Sequence, residues 1–136
     1  MRNPKGLSLI EVLISLAIIG VVIVAVASSM AGNLKVSSSS NKQSLATEYV
    51  NGVLEQYRIH WKSLANYNAA STPNGLAQLN RMLPSDFSVV LAAENLDVDG
   101  SPSTLVSPPM RKITITVTRG TKPLATGTTL IGKPSN

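Results

Sequence analysis

The sequence contains no cysteine, so no disulfide closes a loop and no thiolate attacks a substrate or ligates a metal. It also carries only one histidine, one tryptophan, one phenylalanine and three tyrosines in 136 residues. Any globular part must build its core around few large side chains, and without covalent staples it must rely on burial and strand pairing. Charged residues make up only 14% of the chain, which excludes a charge-rich disordered protein. Metal-ligand spacing, a phosphate-binding loop and a nucleophile beside a base are all missing. Asp97 and Asp99, with Gly100 following, form the densest acidic pair. The later acidic ligand of a calcium loop does not follow them, and loop polarity explains the pair. His60 stands alone and reads as solvated or packed. The expectation is a protein that is not an enzyme and that needs no cofactor or metal.

What is present is concentrated at the start. Met1–Gly6 is a short leader with Arg2 and Lys5 as its charges, and residues 7–31 then read LSLIEVLISLAIIGVVIVAVASSMA. Glu11 is the only ionisable side chain in that stretch. At 1.5 Å per residue a helix over Leu7–Ala31 is about 37 Å long, enough to cross a hydrocarbon core of about 30 Å. A charge there costs on the order of 2.5–3.5 kcal/mol at mid-bilayer, so Glu11 requires a partner. The nearest candidate is a positive group at the segment's own start, exposed once the leader has been removed. Arg2 and Lys5 keep the N-terminus cytoplasmic and place everything after about residue 33 outside. An ordinary secretory signal has an apolar core of only about 7–15 residues. Here a polar side chain interrupts Val12–Ala27 only at Ser15. A plain signal anchor fits the length but gives no reason to keep Glu11.

Lys5 and Gly6 followed by LSLIEVLISLA resemble the class III signal of type IV prepilins and type II secretion pseudopilins. The resemblance implies cleavage between Gly6 and Leu7 by a prepilin peptidase, which also methylates the new Leu7 amine. It makes Glu11 the family's glutamate at the fifth mature position, neutralising the N-terminal amine of a neighbouring subunit in a filament. The implied partners are the peptidase/methyltransferase, other pilin or pseudopilin subunits and an inner-membrane assembly platform. The implied location is the bacterial inner membrane, single-pass with the head extracytoplasmic, and then the pilus or pseudopilus. Two departures stand out: Leu7 replaces the usual phenylalanine, and Ser28 stands where many pilins carry a proline.

Beyond the membrane segment the chain alternates between weak and strong signals. Residues 33–44, NLKVSSSSNKQS, are polar, and Ser37–Ser40 is a poor helix former that favours fraying, a bend or a linker. Helical spacing then resumes with Ala46, Tyr49, Val50, Val53, Leu54, Tyr57, Trp61 and Leu64, a stripe that reads as core. Glu55 and Arg58 can pair on the opposite face. Residues 66–75 read as a loop, and Leu76–Leu83 as two helical turns stopped by Pro84. Phe87–Ala92 reads as a strand, followed by a loop over Asp97–Pro109. Arg111–Arg119 alternates cleanly, with Ile113, Ile115 and Val117 on one face and Thr114, Thr116 and Thr118 on the other. Gly120–Pro123 reads as a turn, and Leu124–Ile131 as a returning strand broken at Gly127.

The expected organisation is a leader over 1–6, a membrane and filament-core helix over 7–31, its extramembrane continuation over 32–66 and an α+β head over 67–136. Helix followed by antiparallel strands places a small sheet on the helix's C-terminal half, in agreement with the pilin fold that the resemblance implies. The segment ATEYVNGVLEQYR and the strand ITITVTR are similar to those of minor pilins and pseudopilins that prime filaments, and the head is short. A minor pilin or pseudopilin is therefore favoured over a bulk subunit. Net charge is +5, of which Arg2 and Lys5 supply two, leaving 10 basic and 7 acidic side chains, or +3. That is too mild to imply nucleic acid by itself. Arg111, Lys112, Arg119 and Lys122 nevertheless form a basic C-terminal set that can contact an anion or DNA, the alternative role being a competence pilin. A solvated, charge-protected strand edge accounts for the same residues.

Overall fold

A computed structural model describes residues 8–135. The elements run helix α1 (Leu9–His60), helix α2 (Leu64–Asn68), helix α3 (Leu76–Asn80), and strands β1 (Phe87–Leu96), β2 (Met110–Arg119) and β3 (Lys122–Gly132). The chain divides into two compact units, residues 1–40 and residues 41–136. The last third of α1 thus belongs with the sheet, and the head begins well before residue 67. The leader, the Gly6–Leu7 junction and the Leu7 amine lie outside the described residues.

In the first unit α1 presents apolar side chains all round. Leu9, Leu13, Leu16, Ile19, Ile23, Val26 and Met30 are all exposed. An apolar surface on every face has no use for water and fits a membrane span, and α1 is long and apolar enough to cross one. The serines within it are satisfied locally. Ser15, Ser28 and Ser29 donate to the carbonyls of Glu11, Val24 and Ala25 at 2.8, 2.9 and 3.1 Å. In hydrocarbon such back-bonding removes the cost of a bare hydroxyl. The helix runs unbroken through Ser28 and through Ser37–Ser40, where the sequence favoured fraying or a bend. Serine's propensity deficit is a few tenths of a kcal/mol to about 0.5 kcal/mol per residue, too little to interrupt a helix already nucleated on both sides.

In the second unit the stripe at three- and four-residue spacing is buried: Ala46, Tyr49, Val50, Val53, Leu54, Tyr57 and Trp61. Opposite it lie Ile113, Ile115 and Val117 of β2, none with any exposed surface. Tyr67 of α2 completes the cluster, and Leu76, Leu79, Leu83 and Phe87 pack at its border. Tyr57, Trp61 and Tyr67 stack edge to face, with centroids 5.1 and 5.8 Å apart, the arrangement aromatic rings prefer. Helix α1 ends at His60 rather than at 66. Lys62 donates to Ile59 in a tightened last turn, and the Asn66 amide caps the His60 carbonyl at 3.1 Å. Trp61 then ties the following loop back, its indole donating to the Ser71 carbonyl at 2.9 Å.

The sheet is a three-stranded antiparallel meander in the order β1-β2-β3. Strand β1 extends to Leu96, beyond the Ala92 end expected from sequence, because Ala93–Leu96 stay in register with Ile113–Met110. Arg119 faces Lys122 across a two-residue turn, in which Gly120 supplies the positive φ. Pro123 lies in β3 itself rather than in the turn, at an irregularity opposite Val117 and Thr118. An edge strand tolerates proline there because no ladder donor is lost. Gly127 does not break β3. A Cβ at 127 would overlap the Val50 side chain and lie 3.0 Å from Leu54 Cδ1, so the helix crosses β3 at this residue. The Arg58 Nε bond to the Thr129 hydroxyl, at 3.0 Å, fixes the same crossing. Arg58 also lies 3.9 Å from Glu55, both side chains well exposed, an ion pair of little energetic weight.

Gly127→Ala gains about 0.4–1 kcal/mol from the unfolded chain. Overpacking against Val50 costs about 1–3 kcal/mol, so the variant is expected to be less stable. Denaturant unfolding of the full chain, followed by Trp61 fluorescence, checks this. Adding Val50→Ala to Gly127→Ala should return part of the lost midpoint, since the two side chains compete for one space.

Candidate functional site

Glu11 sits in the first turn of α1, held there by the residue three before it. The Glu11 amide donates to the Ser8 carbonyl at 3.0 Å and to the Ser8 hydroxyl at 3.3 Å, and the Val12 amide reaches the Ser8 carbonyl at 3.2 Å. Ser8 therefore caps the helix, and S-x-x-E is the sequence pattern of a capping box. That signal is local and stands in the sequence itself. The position also sets Glu11 at the positive end of the helix dipole, which favours a carboxylate. Among the described residues no side chain pairs with that carboxylate. Every serine hydroxyl of the apolar stretch has a partner, so the unmatched polar demand of this segment is concentrated in one group.

The four basic residues of the C-terminal set fall at two separate ends of the sheet: Arg111 and Lys112 near the start of β2, and Arg119 facing Lys122 at the hairpin. Arg111 and Arg119 lie eight residues apart on β2, about 26 Å at 3.3 Å per residue. Arg111 is only 5% exposed. Its Nη1 donates to Asn95 at 2.8 Å and its Nη2 to the Val106 carbonyl at 3.1 Å. Its guanidinium lies over the rings of Trp61 and Tyr67, 5.6 and 5.2 Å from their centroids. Among the described residues the Nε has no partner. Arg111 is thus an internal tie between helix and sheet rather than a surface cation; it lies in phase with Ile113, Ile115 and Val117, the local signal that separates it from its half-buried neighbour Lys112. Burial raises the Tyr67 hydroxyl above its usual pKa, while the charge and hydrogen bonding of Arg111 oppose that rise. The Tyr67 hydroxyl donates to the Pro108 carbonyl at 3.1 Å, closing the loop before β2 over the arginine.

Lys112 pairs with Glu94 across the β1–β2 ladder, Nζ to Oε2, at 2.5 Å. Arg119 pairs with Asp86 at 2.5 Å, and this hydrogen bond holds the Asp86 carboxyl below the usual range. The pair contributes above the ordinary carboxylate range and is lost on acidification below it; both groups are about half exposed, so the effect is small. Lys122 is exposed at the hairpin end.

His60 is half-buried and bonds the Ser71 hydroxyl at 2.8 Å. Asp99 accepts from the amide and hydroxyl of Ser101 at 2.9 and 2.7 Å, an ordinary loop turn. Among the described residues no cluster of histidine and acidic side chains is arranged to hold a metal.

Residues 1–27 match the family model of the prokaryotic N-terminal methylation motif. No curated protein and no solved structure matches the chain. The match spans the leader, the Gly6–Leu7 junction and Glu11, so the chain carries a class III prepilin signal. With a long N-terminal helix and a small antiparallel sheet packed on it, the fold is α+β and pilin-like, and the methylation motif supports a type IV pilin- or pseudopilin-like protein. The signal implies processing by a prepilin peptidase and assembly with other pilins, and the apolar helix fits membrane anchoring.

Arg111→Ala removes a buried charge together with its two ring contacts and strands Asn95 and the Val106 carbonyl. The head is expected to lose about 2–4 kcal/mol, read from the unfolding midpoint. Arg111→Lys should recover less than half of that, because an ammonium cannot serve both acceptors and lie flat over two rings. Lys112→Ala is expected to stay within about 0.5 kcal/mol of the parent.

Proposed function

We propose that this chain is a minor pilin or pseudopilin, a non-enzymatic structural subunit that joins a type IV pilus-like filament from the inner membrane after leader removal. Glu11 carries the reading. Cleavage between Gly6 and Leu7 leaves an ammonium on Leu7, and methylation keeps it positive. In the membrane, the ammonium and the carboxylate each hold a charge near the mouth of an apolar helix. In a bundle of such helices neither charge is tolerable alone, and pairing between neighbours offsets the desolvation of both. The neighbour's ammonium therefore acts as the partner that Glu11 requires, while helix packing supplies filament cohesion and the heads cover the outside. A head with no disulfide and few aromatics supports a low-abundance subunit over one that bears the load of a long fibre. A DNA-binding head draws less support, since Arg111 is buried and Lys112 and Arg119 are already paired.

Glu11→Gln separates the two roles of the residue. Glutamine serves a capping box as glutamate does, so the helix start is retained and only the charge is lost. The variant should reach the membrane and be cleaved normally. Its incorporation into filaments, measured by quantitative blotting of sheared filaments, is expected to fall about tenfold or more, the effect of 1.4 kcal/mol or greater on the partition. Incorporation at the parental level would overturn the pairing.

A further inference from the structure

Asparagine or aspartate precedes glycine at Asn51–Gly52, Asn74–Gly75 and Asp99–Gly100. At such a junction no Cβ on the second residue shields the side-chain carbonyl carbon of the first from the next backbone nitrogen. That nitrogen can close a five-membered ring on the side chain where no hydrogen bond holds it and the backbone is free to turn. The fold treats the three junctions differently.

Asn51–Gly52 lies inside α1, where each amide is committed to the carbonyl four residues before it. A Cβ at Gly52 would stand 3.4 Å from Leu79 Cδ2, so the backbone there is also packed against α3. Asp99–Gly100 is held in a closed turn. The Gly100 amide donates to the Asp97 carbonyl at 2.9 Å, and the Asp99 carboxylate is taken by the amide and hydroxyl of Ser101. Asn74 has neither protection. It is exposed in the loop between α2 and α3. The turn around it is closed only by the long bond from the Leu76 amide to the Pro73 carbonyl, at 3.4 Å. Among the described residues the Gly75 amide meets no backbone carbonyl.

We propose that Asn74 is a self-modification site, at which the Gly75 nitrogen attacks the side-chain carbonyl carbon of Asn74. A carbon–nitrogen bond forms to give a succinimide, and the side-chain nitrogen leaves as ammonia, taking the proton that Gly75 gives up. Water then opens the ring at either carbonyl, giving aspartate or isoaspartate, each with one new negative charge. In isoaspartate the main chain runs through the side-chain carbon and is longer by one methylene. The loop has no slack for it. Pro73 is buried, and Ser71 is held by the Trp61 indole and by His60 at 2.9 and 2.8 Å. A Cβ at Gly75 would lie 2.7 Å from Gln56 Oε1, so the far end of the loop is seated against α1 as well. The longer chain therefore loosens the segment that closes over the end of α1. This chemistry goes beyond the filament reading and depends neither on leader removal nor on Glu11.

The test holds the full-length chain, in detergent, in mildly alkaline buffer and follows its digest by mass spectrometry with fragmentation. Peptides Gln43–Arg58 and Ser63–Arg81 carry Asn51 and Asn74 separately. A gain of about 1 Da at residue 74, at least about tenfold faster than at residue 51, is the expected result. In denaturant the two junctions should react at similar rates, because the helix that protects Asn51 is gone. The product should accept a methyl group from S-adenosylmethionine through an isoaspartate methyltransferase. Gly75→Ala should slow the reaction; its Cβ meets only the flexible end of Gln56, so the variant still folds. The isoaspartyl form should unfold at lower denaturant than Asn74→Asp, which adds the same charge without lengthening the chain. Equal rates at 51 and 74 in the folded chain, a product that accepts no methyl group, an unchanged rate in Gly75→Ala, or an isoaspartyl form as stable as Asn74→Asp would each overturn the proposal.

Discussion

A single helix here has to satisfy two solvents. Over its first half every face of α1 is apolar, a surface that only hydrocarbon or other such helices can cover. From Ala46 to Trp61 the same helix becomes one-sided, with a stripe that needs a sheet to bury it. The change of pattern along one continuous element sets the rest of the architecture. The first half needs apolar surroundings, and the second half needs a sheet to cover its stripe. Glu11 and the serines of the first half show how strictly polar groups are managed under that constraint. Each hydroxyl is returned to the backbone of its own helix, and the carboxylate is left as the one group whose need can be met from outside.

The head solves a different problem, cohesion with few aromatics and no disulfide. Three rings, Tyr57, Trp61 and Tyr67, are stacked edge to face, and the Arg111 guanidinium lies over the last two, tying the end of α1 to the start of β2. Gly127 performs the complementary task at the other crossing. Its missing side chain lets Val50 and Leu54 approach the β3 backbone, so the helix packs directly on the strand. The sheet is only three strands wide, with both outer strands as edges, and only β3 carries the prolines and lysines that discourage pairing.

Much of this was legible from residue spacing. The 46–61 stripe and the Ile113–Ile115–Val117 alternation fall on the two surfaces that meet, because burial on one face imposes the period of the element. The prepilin signal was legible because leader, junction, glutamate and apolar run occur in register. What stayed hidden depends on contacts between residues distant in sequence. Gly127 looks like a strand breaker until Val50 is placed against it, and Arg111, though in phase with Ile113, carries a charge whose burial makes sense only once Trp61 and Tyr67 close over it. The full length of β1 was obscured because its apolar residues occupy both faces and do not alternate. The end of α1 at His60 depends on Asn66 and Ser71 folding back, which no helical period records. The capping pattern Ser8–Glu11 is local, and it overlaps the charge signal because one glutamate serves both.

Only a cut before Leu7 creates the ammonium that the proposed pairing gives to Glu11. Mass spectrometry of the mature chain, from cells that contain the processing peptidase, tests it most directly. The predicted product lacks Met1–Gly6 and carries one added methyl on Leu7. An intact N-terminus, or a cut elsewhere in the apolar segment, would contradict the account and return the chain to a plain membrane anchor.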